Sequence, residues 1–207
     1  MKQVSFHKGG FTLVELLVVM VIIATLAGLT LSTIQFVVNE GKRKRAVAEI
    51  TTLGLAIGAY KADYGDYPRD ANYTDMLDAR SDPDARIPPP TSSPYLMPAS
   101  VALYKALSGD SDASGTIDAS EKANTIYFHF PLNMLHSDNG IITAVVDPFR
   151  NAYGYSTIGS SPAATGAQGY NPTYDLWSTA DPEKKGPRKN GTPPVSDFTN
   201  LWITNFR

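Results

Sequence analysis

The sequence predicts an α+β fold in which one long N-terminal helix, membrane-spanning in its first half, packs through its second half on a small antiparallel sheet. Three observations predict it. An uncharged, mainly apolar run extends from Leu16 to Val38; all fifteen prolines lie beyond Tyr67, so nothing obliges the helix to break before that point; and short apolar runs collect after residue 125 between Gly-, Ser- and Pro-rich connections.

The elements follow in chain order. Residues 1–10 carry Lys2, His7 and Lys8 and are too short and too hydrophilic to hold the apolar core of an ordinary secretory signal. In the run that follows, Thr25, Thr30, Ser32, Thr33 and Gln35 are the polar residues. At about 1.5 Å per residue it is long enough to cross a hydrocarbon layer of about 30 Å. Glu15 sits at the edge of this run, where an unpaired carboxylate is costly and is usually matched by a partner. The helix is expected from about Thr12 to Tyr64, with Gly65 and Pro68 as its stop. Its second half sets Ala46, Ile50, Leu53, Ile57, Tyr60 and Tyr64 at steps of three or four, the stripe of a helix packed on a sheet. Residues 11–38 are thus assigned to the apolar helix, 39–65 to its amphipathic continuation and 66–207 to a globular domain.

That domain opens with a proline-rich loop, Asp82 to Pro98, and a short helix from near Ser100 that presents Val101, Tyr104 and Leu107 on one face. Strands are expected at Ile126–Phe130, Ile141–Val146 and, more weakly, Tyr153–Ile158. Gly159–Gly169 reads as a surface loop.

Residues 110–121, Asp-Ser-Asp-Ala-Ser-Gly-Thr-Ile-Asp-Ala-Ser-Glu, have the spacing of a twelve-residue calcium loop of EF-hand type. Side-chain oxygens fall at positions 1, 3, 5, 9 and 12 from Asp110, Asp112, Ser114, Asp118 and Glu121. Thr116 offers its carbonyl at 7, and Gly115 permits the sharp turn at 6. Calcium, a hard cation that takes six to eight oxygens, suits this set; Ser114 in place of an acid or amide weakens it. Ile117 at position 8 is expected to anchor the loop to the fold. Only Lys122–Asn124 separate the loop from the next expected strand, so it reads as a structural clamp rather than a sensor that opens a groove.

Taking Lys2 and Lys8 away with residues 1–10 leaves 16 basic against 20 acidic residues, a formal −4, which implies no general affinity for nucleic acid. The chain has no cysteine, so no disulfide staples the domain and calcium is the substitute. Enzymatic signals are missing: there is no thiol nucleophile, no Gly-x-Ser-x-Gly elbow and no phosphate-cradling glycine loop. His129 falls in a strand-like apolar run, where a sheet residue is expected rather than a catalyst or zinc ligand.

The segment Gly10-Phe11-Thr12-Leu13-Val14-Glu15, followed by Leu-Leu-Val-Val, resembles the prepilin signature of type IV pilins and type II secretion pseudopilins. The resemblance implies cleavage between Gly10 and Phe11 by a prepilin peptidase at the inner membrane, methylation of the Phe11 amine, and packing of the apolar helices into the core of a helical homo-oligomeric filament. Glu15 would pair with the Phe11 ammonium of a neighbouring subunit. Residues 1–10 become the leader, the domain is periplasmic and the fold pilin-like. A positive-inside count of Lys42–Arg45 against Lys2 and Lys8 points the other way. It is overruled by the leader signature, and by a calcium loop that suits a calcium-rich outside. The cluster is explained by Glu40–Lys44 and Arg45–Glu49 pairs four residues apart.

The segment Ala56–Pro68, with its Tyr-Lys-Ala-Asp-Tyr-Gly-Asp-Tyr-Pro ending, and the tail runs Asp147–Tyr155, Tyr174–Ser178 and Ser196–Trp202 are similar to landmarks of the major pseudopilin. In that family a final loop binds calcium, and the positions matching its carboxylates are Asp181 and Asp197; Lys184, Lys185, Arg188 and Lys189 between them disfavour the cation. Trp177 and Trp202 are expected to pack on the sheet. The resemblance implies a pseudopilus subunit with minor pseudopilins and an inner-membrane assembly platform as partners. A surface type IV pilin is the alternative, and a membrane-anchored hydrolase a remote one.

Overall fold

A computed structural model describes residues 12–80, 96–162, 169–180 and 202–206, apart from the side chains of 29–33, 35 and 96. The chain divides into two compact units, Met1–Gly41 and Lys42–Arg207. Helix α1, Leu13–Tyr64, runs from the first into the second.

Its N-terminus is fixed by a reciprocal cap. Glu15 N donates to the Thr12 hydroxyl oxygen at 3.2 Å, while Thr12 N donates back to Glu15 Oε2 at 2.8 Å. At the other end Gly65 adopts φ +80° and its N–H reaches the Lys61 carbonyl at 2.8 Å, a left-handed stop that favours glycine. In the first unit every described large apolar side chain from Leu13 to Val38 is exposed. Among the described residues no helix is long and apolar enough to cross a membrane. Side chains 29–33 and 35, in the middle of the apolar run, lie outside that set.

In the second unit Ala46, Ile50, Leu53, Ala56 and Ile57 of α1 are buried in the main core. The expected stripe ends at the half-buried Tyr60: Tyr64 is exposed, stacking on Tyr60 at 4.5 Å. Helix α2, Leu96–Ser108, begins before the expected Ser100, because Pro98 lies in its first turn, where no intrahelical N–H is required. Leu103, Tyr104 and Leu107 enter the same core, and Val101 packs at its margin.

Two antiparallel sheets complete this unit. Strands β1, Leu135–Asp138, and β2, Ile141–Val145, form a hairpin with a register shift after His136. Asn139 and Gly140 both take positive φ, 51° and 82°, as a two-residue hairpin turn of the primed type requires. Strands β3, Gly154–Ser156, β4, Asp175–Ser178, and β5, Ile203–Thr204, are paired in the order β3-β4-β5. Trp177 stands opposite Gly154, and its indole lies over the space that a Cβ there would fill. Trp177 stacks on Trp202 at 6.3 Å, so both indoles pack on this sheet as expected.

The run Ile126–Phe130 is not a strand. The N–H groups of Tyr127 and Phe128 both donate to the Leu107 carbonyl, at 2.8 and 2.9 Å, so the segment closes the end of α2 instead of joining a ladder. His129 there is exposed. The Asp82–Pro98 loop lies, up to Tyr95, outside the described residues. Of the expected Gly159–Gly169 loop, residues 158–160 form a 3-10 turn and 163–168 lie outside them.

A buried polar pair ties α1 to the residue that precedes β3. Glu49 accepts from the Tyr153 hydroxyl at 2.6 Å and from Arg45 Nε at 2.7 Å. Burial first, and then the Glu49 hydrogen bond, push the Tyr153 phenol far up, so it remains a donor.

Candidate functional site

The loop 110–121 leaves α2 through Gly109, whose φ is +79° and whose carbonyl accepts from Asn124 Nδ2 at 2.7 Å. Asp110 comes next and is 1% exposed. Its Oδ1 accepts from Ser114 N at 3.1 Å, and its Oδ2 from Gly115 N at 2.7 Å and from the Tyr104 hydroxyl at 2.8 Å. The chain turns at Gly115, φ +82°, at the position where the spacing requires it. The Ser114 hydroxyl lies 3.0 Å from the Thr116 carbonyl, bringing together the oxygens of positions 5 and 7.

Glu121 folds back over the first turn. Its Oε1 accepts from Ser111 N at 2.5 Å and the Ser111 hydroxyl at 2.6 Å, and its Oε2 from Asp118 N at 3.3 Å. Ligand oxygens of Asp110, Asp112 and Glu121 lie within 4.8 Å of one another. Asp118 is not in that group: its Oδ1 accepts from Ser120 N and the Ser120 hydroxyl at 2.7 and 2.6 Å and caps the turn that brings Glu121 round.

The electrostatics add a separate argument. Asp110 and Glu121 are 1% and 3% exposed, yet neither forms an ion pair among the described residues. Two carboxylates this close repel each other, and neutral hydrogen bonds stabilise them without cancelling their charge. Hydrogen bonds from Ser111 hold Glu121 below the ordinary carboxylate range, those from Ser114 do the same for Asp112, and those from Ser120 for Asp118. The loop thus keeps negative charge that it does not compensate, in an all-oxygen setting, and this fits a hard divalent cation such as calcium.

Ile117 is 39% exposed and does not anchor the loop. Ala113 does so: it is buried at φ +64°, and its carbonyl accepts from Ile142 N of β2 at 2.7 Å. Neither this contact nor Tyr104 was foreseen from the sequence, because both are made across elements.

At the chain's other site, Glu15 Oε2 is held by Thr12, while Oε1 has no hydrogen bond among the described residues. The Thr-x-x-Glu spacing is a capping signal that the sequence displays. Gly10 and Phe11 lie outside the described residues, as do Asp181 and Asp197. His136 Nδ1 is 2.8 Å from the Thr143 hydroxyl, and no histidine joins a metal-ligand cluster among the described residues.

Residues 6–31 match the prokaryotic N-terminal methylation motif. The type II secretion system core protein G of Pectobacterium carotovorum subsp. carotovorum is 36% identical over 66 residues, 32% of this chain and 42% of that protein. The chain thus spans about two fifths of the length of the curated relative it matches. No solved structure matches. With a long N-terminal helix and an α+β domain behind it, the chain thus carries a prepilin-type methylation motif and, over part of its length, is similar to core protein G.

Proposed function

We propose that the chain is a filament subunit of a type II secretion pseudopilus, cut between Gly10 and Phe11, methylated at Phe11, and held in the inner membrane before assembly with its C-terminal domain in the periplasm. The observation that carries this reading is the match of residues 6–31 to the methylation motif together with the identity to core protein G. Membrane anchoring rests on the complete run Leu16–Val38 in the sequence. In the filament, Glu15 neutralises the Phe11 ammonium of the next subunit through Oε1, the oxygen that its own cap leaves free. Minor pseudopilins, an assembly platform and the prepilin peptidase are the partners.

Calcium clamps the domain at Asp110, Asp112, Ser114, Thr116 and Glu121, with Asp118 closing the turn. When bound, calcium supplies the positive charge that Asp110 and Glu121 lack. The same reading extends to a second calcium at Asp181 and Asp197; two calcium ions per chain support it and one removes it.

The test compares culture medium and periplasm from cells with and without the chain. Loss of specific proteins from the medium, with their accumulation in the periplasm, supports the pseudopilus. Unchanged secretion with loss of surface fibres makes the chain a type IV pilin instead.

A further inference from the structure

We infer that Tyr104 of α2 is the positioning residue of the calcium loop, fixing through its hydroxyl which oxygen of Asp110 is presented to the cation. The inference rests on the calcium reading above.

Among the described residues, Tyr104 is the one side chain outside residues 110–121 that donates to a carboxylate of the loop. A carboxylate oxygen has two lone pairs. On Asp110 Oδ2 both are taken, by Gly115 N and by the tyrosine hydroxyl; Oδ1 accepts only from Ser114 N and keeps one. The Gly115 and Ser114 donors belong to the loop and move with it. The tyrosine does not: its ring is 4% exposed in the core and lies against Phe130 at 5.1 Å. Asp110 is therefore oriented by a group that the fold places before any cation arrives. Deleting the hydroxyl frees a lone pair on Oδ2 and lets the carboxylate rotate, while the ring stays packed. Partners that orient metal ligands typically account for 10–100-fold in affinity.

Calorimetric titration of the full-length protein in detergent with calcium chloride tests this, using the unsubstituted chain, Tyr104→Phe and Phe130→Leu, each checked for native circular dichroism. Phe130→Leu disturbs the ring but keeps the hydroxyl. The expected result is about tenfold weaker calcium binding in Tyr104→Phe, with Phe130→Leu lowering the melting temperature but leaving the affinity unchanged. A Tyr104→Phe affinity within twofold of the unsubstituted chain overturns the tyrosine's role and leaves the calcium reading intact. So does an equal loss of affinity in Phe130→Leu, which would assign the effect to packing. No calcium binding by the unsubstituted chain removes the calcium reading, and this inference with it.

Discussion

The two halves of α1 solve opposite problems. From Leu13 to Val38 the helix exposes every described large apolar side chain, whereas from Ala46 to Ile57 it buries its apolar stripe against α2 and the sheets. The same contrast separates its two glutamates. Glu49 is 9% exposed and takes bonds from both Arg45 and Tyr153. Glu15 is exposed and capped on one oxygen only. The second half is completed by its own chain, and the first half carries apolar surface that a membrane or neighbouring helices must cover.

The largest test of that contrast is a matched pair of truncations. Leu53→Ala should cost about 3 kcal/mol and lower the melting temperature of the detergent-solubilised protein by about 10 °C. Leu17→Ala should leave that transition within about 1 °C, because Leu17 is exposed and its truncation opens no cavity. Equal effects would break the comparison. Next, Tyr153→Phe should cost about 2 kcal/mol, leaving Glu49 buried without its phenol donor; denaturant unfolding measures it.

Calcium should raise the melting temperature of the unsubstituted protein by several degrees, about 2.7 kcal/mol at a hundredfold excess over Kd. Asp110→Ala should abolish the rise; a rise of equal size would move the cation elsewhere. The smallest effect is on pH. Glu121, Asp112 and Asp118 are held below their ordinary values of 4.5 and 3.8, so the stability they give the calcium-free loop is present above those values and is lost as pH falls below them. Hydrogen-exchange protection at Ser111 and Ser120, taken relative to intrinsic rates, should fall between about pH 4.5 and pH 3. Constant protection across that window would show that the carboxylates do not hold the loop.

Features encoded locally were legible in the sequence. The absence of proline through Tyr67 and the Gly65 stop place α1 within one residue at its start, Leu13 for the expected Thr12, and at Tyr64 for its end. Strand β2 and the core of β3 also fall where expected. The Asn139-Gly140 turn that pairs β1 with β2 is an equally local signal, although β1 itself, Leu-His-Ser-Asp, lacks strand composition. Other features depend on tertiary partners. Strand β4 is buried along its whole length, so it shows no alternation, and Ile126–Phe130 has strand composition but spends its N–H groups on α2. At the loop, fixed spacing revealed the oxygens. Which of them converge depends on side-chain bonds within the loop and from Tyr104 of α2, and that Ala113 rather than Ile117 ties the loop down depends on the distant strand β2.

The most direct test of the central claim, that the first half of α1 serves assembly and not folding, is electron microscopy of fibres from cells overproducing the unsubstituted chain or Glu15→Leu. The melting temperature of each purified subunit is measured alongside. The account predicts fibres from the unsubstituted chain, few or none from Glu15→Leu, and the same domain melting temperature for both. Normal fibres from Glu15→Leu, or a domain that melts several degrees lower, would contradict it.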